Sequence, residues 1–173
     1  MIKSLQLIII GFLLTTALSG CKASIDIFPT KKPTNLGITI AWHKGTVFTA
    51  DYPTEKLKGS GINLAKRFTP TKADIEIFQS IFIQQVVGHG RSHIGHYKDY
   101  PYKASGKHFM QFAGFINERG EKVLHINFLY NQDNAITYED DYKTVLDGGD
   151  HYWQLDVNLT TQQVIDLRVN GVG

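Results

Sequence analysis

From Phe109 to Val169 the chain runs through four stretches in which apolar and polar residues alternate, and this period of two constrains the fold more than any other feature. Leu124, Ile126, Phe128 and Tyr130 share one parity, with His125 and Asn127 on the other. Trp153, Leu155, Val157 and Leu159 alternate with Gln154, Asp156 and Asn158. Ile165, Leu167 and Val169 alternate with Asp166 and Arg168. Successive side chains of an extended strand point to opposite faces, so each run has one apolar and one polar face. Such runs predict an antiparallel sheet with one face on a core and the other wet. Turn residues separate them: Asn117-Glu118-Arg119-Gly120 after Phe109 to Ile116, and Thr160 to Gln162 before the last run.

One segment carries a helical period instead. Ile75, Phe78, Ile81, Phe82 and Val86 recur at spacings of three and four and form one wide apolar face. Thr69 with Pro70 at the first helical position would cap it, or Thr71 with Asp74 three residues later. Gly88 and Gly90 end it. Upstream, Ile38, Ile40 and Trp42 alternate, His43-Lys44-Gly45 offers a turn, and Val47 and Phe48 resume, which predicts a hairpin. The expected fold class is α+β, with one main helix packed on an antiparallel sheet of about four strands, plus this amino-terminal hairpin. The outline resembles a cystatin-like roll.

The amino terminus has the form of an export signal. Lys3 is followed by an apolar run from Leu5 to Leu18, about fourteen residues and short of the roughly twenty that span a bilayer. The run ends in Leu18-Ser19-Gly20-Cys21, which resembles the lipobox of bacterial lipoprotein precursors. The resemblance implies cleavage before Cys21 and a thioether-linked diacylglycerol on its sulfur, usually with a third acyl chain such as palmitate on its amine. Two or three chains anchor stably where one does not. Lys22, in place of the aspartate that retains enterobacterial lipoproteins in the inner membrane, implies the outer membrane, facing the periplasm. The expected organisation is a signal peptide over residues 1–20, a lipidated tether over 21–36 containing Pro29 and Pro33, and one domain over 37–173. Ile25, Ile27 and Phe28 offer a short edge strand as the alternative to a tether. Cys21 is the only cysteine, so no internal disulfide is expected. The carboxy-terminal half also resembles small envelope lipoproteins of uncharacterised function, through Gly114-Phe115-Ile116-Asn117, Ile126-Asn127-Phe128, Gly148-Gly149 with Tyr152-Trp153, and Val169-Asn170-Gly171.

Residues 88–107 join the helix to the sheet and hold the sharpest candidates for chemistry. His89, His93 and His96 have a spacing that suits imidazole ligation of a metal such as Zn²⁺, with His108 or Asp99 to complete the set. Gly90 stands where a metalloprotease helix needs glutamate, which removes that mechanism. Tyr97, Tyr100 and Tyr102 alternate with Lys98, Lys103 and Lys107 and suit a partner-binding surface. Glu139, Asp140, Asp141, Asp147 and Asp150 offer oxygen donors without EF-hand spacing. No Gly-x-Ser-x-Gly elbow occurs. A net charge of +2 gives no electrostatic footprint for nucleic acid. The expected function is therefore a lipid-anchored envelope protein that binds an envelope or secreted partner without catalysis. The alternative is a metal-binding protein or metal-dependent enzyme built on His89, His93 and His96.

Overall fold

The computed structural model describes residues 24–41, 43–57, 66–87, 108–130 and 138–171. Its strands are β1 (Ile25–Pro29), β2 (Asn35–Ile40), β3 (His43–Phe48), β4 (Arg67–Phe68), β5 (His108–Ile116), β6 (Lys122–Tyr130), β7 (Tyr152–Asn158) and β8 (Gln163–Val169). One helix, α1 (Lys72–Ile81), continues as a π-helical turn over Phe82–Val87. All eight strands join one sheet in the order β1-β2-β3-β5-β6-β7-β8, with β4 paired to β5 beyond the end of β3.

This corrects the expected α+β class. The described chain is mostly β, and its sheet has eight strands rather than about four. It is not a cystatin-like roll, because β3 and β5 pair in parallel while every other pairing is antiparallel. The difference arises in residues 25–48, whose prolines, lysines and glycines blur the alternation that the later strands display. Within 21–36, expected to be a tether, β1 and the first residues of β2 belong to the sheet. A parallel pair needs a long crossover, and α1 lies in the one between β3 and β5.

Gly45 shows how the blurring works. It was expected in a turn, yet the β2–β3 reversal lies between Ile40 and His43, with Ala41 at a φ of 54°. Gly45 instead sits inside β3, opposite Met110. A Cβ there would lie 2.4 Å from the Met110 carbonyl oxygen, so only glycine admits the approach of β5.

One sheet face forms the main core under α1. Ile75, Phe78 and Ile81 of the helix pack on Val47, Phe112, Ile126 and Leu155. Trp153 and Phe128 stack with ring centroids 3.4 Å apart, and Phe82 stacks on them from the π-helical turn. Apolar stripes on both helix and sheet meet here, and their burial is the main favourable term. The opposite face is not wet as expected. Asn35, Thr46, Gln111, His125 and Asn127 are buried there, beneath residues 138–147, which cross the sheet as a strap.

Thr71, the second of the two expected caps, opens the helix. Its side chain accepts from the Asp74 N–H, and the Asp74 carboxylate accepts from the Thr71 N–H at 2.9 Å. The same carboxylate takes Lys122 of β6 at 3.1 Å and so ties helix to sheet. Burial pushes the Asp74 pKa up, but the Thr71 N–H and hydroxyl and the Lys122 ammonium outweigh it and hold the carboxyl below 3.8. A depressed acid pKa stabilises the fold above the unfolded value and loses that contribution as pH falls through the folded value. Asp74→Asn should therefore lower stability near neutral pH. Its deficit against the parent should shrink as pH drops from about 6 to about 2 in urea unfolding.

Candidate functional site

The buried polar face grips the backbone of the strap. Asn35 Nδ2 donates to the carbonyls of Glu139 and Asp140, both at 2.9 Å. The Thr46 hydroxyl donates to the Glu139 carbonyl at 3.2 Å. Gln111 Nε2 donates to the carbonyls of Tyr138 at 2.8 Å and Asp141 at 2.9 Å, while its Oε1 accepts from the Lys143 N–H. Asn127 Nδ2 donates to Gln111 Oε1 and to the Lys143 carbonyl. Farther along, Asn170 Nδ2 donates to the Val145 carbonyl at 2.6 Å. The contacts alternate across β2, β3, β5 and β6 because the polar parity of each strand falls on this face.

Magnitudes decide what holds the strap. Leaving one buried partner unsatisfied costs about 1–3 kcal/mol, so several amides in one network dominate. Outside, Lys32 pairs with Asp140 at 3.4 Å, and Lys56 with Asp141 at 2.9 Å. These pairs are exposed and screened by solvent and contribute little. Lys56 is the main cause that holds the Asp141 carboxyl below its usual range.

At the centre a histidine links sheet and strap. His125 on β6 lies opposite Asp156 on β7, and its Nδ1 is 2.6 Å from Asp156 Oδ1. Its Nε2 is 2.8 Å from the Tyr142 hydroxyl of the strap. Arg168 on β8 donates to the other Asp156 oxygen at 3.0 Å. The carboxylate fixes the tautomer: Nδ1 carries the proton, and Nε2 accepts from the phenol. Burial raises the Tyr142 pKa well above the ordinary phenol range; the Asp156 charge adds to this and Arg168 opposes it. The phenol therefore stays protonated. His125 is fully buried, and Tyr142 occupies the Nε2 position a substrate would need. Asp156, His125 and Tyr142 thus form a pin between sheet and strap, with none of the access that nucleophilic or general-base chemistry requires.

Cys21, His89, His93, His96, Tyr97, Tyr100 and Tyr102 lie outside the described residues, as does Asp99. His108, expected to complete a metal set, is buried at the start of β5 with Nε2 3.1 Å from the His151 carbonyl. A ring nitrogen facing a carbonyl carries its proton and donates, so that nitrogen is not a ligand here. Among the described residues, no three His, Cys, Asp or Glu side chains are arranged to hold a metal ion.

His125, Asp156 and Tyr142 were missed because alternation assigned His125 and Asp156 to solvent and gave Tyr142 no partner. The available signal was a row of amides and a histidine at one parity of adjacent strands. It becomes readable once the register places His125 beside Asp156.

No family model matches the chain, no curated protein matches its sequence, and no solved structure matches its fold.

Tyr142→Phe keeps the ring against Phe48 and removes only the hydroxyl. It should cost about 1–3 kcal/mol in denaturant unfolding, because His125 Nε2 is left buried without a donor.

Proposed function

We propose that this chain is a lipid-anchored protein of the bacterial cell envelope, acylated on Cys21, whose domain binds an envelope or secreted protein partner without catalysis. The observation that carries this reading is Leu18-Ser19-Gly20-Cys21 at the end of an apolar run that is too short to span a bilayer. Lys22 favours the outer membrane.

The position of β1 supports a domain held close to its anchor. The first strand begins at Ile25, so Lys22, Ala23 and Ser24 alone separate it from Cys21. At about 3.3–3.6 Å per extended residue, the sheet edge would stay within roughly 15 Å of the acylated sulfur. Such a leash suits a protein that acts at the membrane surface. The enclosed His125–Asp156–Tyr142 pin supports binding over catalysis. Tyr97, Tyr100 and Tyr102, between Val87 and His108, supply the residue type enriched at interface cores.

The test is metabolic labelling of the full chain with an alkyne-bearing palmitate in a bacterial host. The parent should carry the label and sediment with membranes. Cys21→Ser should lose both, and equal labelling of the two would overturn the anchor. Capture from envelope and secreted fractions with the detergent-solubilised chain tests the partner. A stoichiometric partner lost on deleting 97–102 supports this reading. Retention abolished by chelator and by replacing His89, His93 and His96 would establish the metal-dependent reading in its place.

A further inference from the structure

A cleft of about 160 Å³ opens on the polar sheet face, beside the strap and away from the His125 pin. Cross-strand register builds it. Phe28 of β1 lies opposite Gly37 of β2, Gly37 opposite Thr46 of β3, and Thr39 opposite Lys44. These five share one parity and therefore one face. Glu139 of the strap closes the far side. Its position is set by its own carbonyl, which Asn35 and Thr46 both hold.

Three features of the cleft coincide. The first is an aromatic wall. The Phe28 ring lies so close on Gly37 that a Cβ there would be 2.2 Å from Cε2, yet 48% of the residue stays exposed. Covering a strand glycine accounts for the ring's seat, and its outer surface faces the cleft. The second is a cation: Lys44 is exposed and forms no ion pair among the described residues. The third is an unpaired anion. Asp140 and Asp141 take up Lys32 and Lys56, while the neighbouring Glu139 carboxylate forms no ion pair among the described residues, with Lys44 or with any other. One cleft thus offers a positive group, a negative group and an apolar wall. Thr39 also lines it.

Size narrows the ligand. The cleft, at about 160 Å³, is small. It falls below the roughly 300–1,000 Å³ of pockets for drug-sized molecules. We propose that this cleft binds a small zwitterion with an apolar side group, of which a free α-amino acid is the simplest. The ligand's carboxylate meets Lys44, its ammonium meets Glu139, and its side group lies on Phe28. A zwitterion bridges two protein charges that do not reach each other. Both charge contacts sit at the solvent-facing rim, so affinity is modest and selectivity comes from requiring both ends. The proposal is independent of the lipid anchor and of residues 88–107.

The test uses the full chain in detergent and isothermal titration with three probes: L-leucine, N-acetyl-L-leucine, which lacks the ammonium, and L-leucinamide, which lacks the carboxylate. L-leucine should bind, and each derivative should bind about two- to fivefold more weakly, as expected for losing one solvent-exposed charged contact. Lys44→Ala should bind L-leucine and L-leucinamide equally, and Glu139→Gln should bind L-leucine and N-acetyl-L-leucine equally. Phe28→Ala should weaken all three probes. Lys44 and Glu139 are exposed, so their variants keep the fold, and a thermal melt checks this. Absence of L-leucine binding would overturn the proposal. So would binding that neither charge variant changes, or a uniform loss for all probes in both charge variants.

Discussion

A polar sheet face buried in a protein interior needs partners for its donors and acceptors, and in this protein the strap over residues 138–147 takes up the amides of Asn35, Gln111 and Asn127. Among the described residues, Asn35, Gln111 and Asn127 make a single side-chain bond to one another, from Asn127 to Gln111, and all three are buried. Only a second layer of backbone can take up their amides. The strap provides the carbonyls of Tyr138 and Asp141 to Gln111 of β5, those of Glu139 and Asp140 to Asn35 of β2, and that of Lys143 to Asn127 of β6. Because these contacts are to main chain, they fix the path of the strap with little regard to its side chains. Its side chains are then free to do other things. Tyr138 packs against Phe109 and Leu129, Tyr142 reaches His125, Asp140 and Asp141 face outward to lysines, and Glu139 borders a cleft.

The two faces of the sheet are therefore stabilised by different physics. Under α1 the surface is apolar, and cohesion comes from burial and ring stacking around Trp153, Phe128 and Phe82. Under the strap the surface is mixed. Clusters such as Phe48, Tyr52, Leu57, Ala113 and Tyr142 alternate with the amide network. Burial on both faces is what parallel pairing generally demands, and the β3–β5 pair sits at the middle of the sheet.

What could be read from the residues follows the same division. Strands β5 to β8 and α1 were legible, since their period of two or three to four survives in the apolar residues alone. Strand β4 was not, because two residues are too few to establish a period, and β1, with five, was read only as the alternative to a tether. Gly45 looked like a turn because close approach of β5 and a turn both select glycine. The partners of His125 lie 31 and 17 residues away, and no local pattern encodes such pairs. The lipoprotein proposal rests on Leu18-Ser19-Gly20-Cys21, a contiguous stretch read as linear sequence and independent of any fold.

Native-state hydrogen exchange across the strap tests the seating of this second layer most directly. The Tyr142 N–H donates to the Tyr52 hydroxyl, and the Lys143 N–H donates to Gln111 Oε1. Both lie in a segment without regular secondary structure, which would ordinarily exchange fast. The account predicts protection of these two amides comparable to that of Ile126 and Phe128 in β6. Exchange near the unprotected rate, with β6 still protected, would show that the strap is not bound to the sheet and would contradict it.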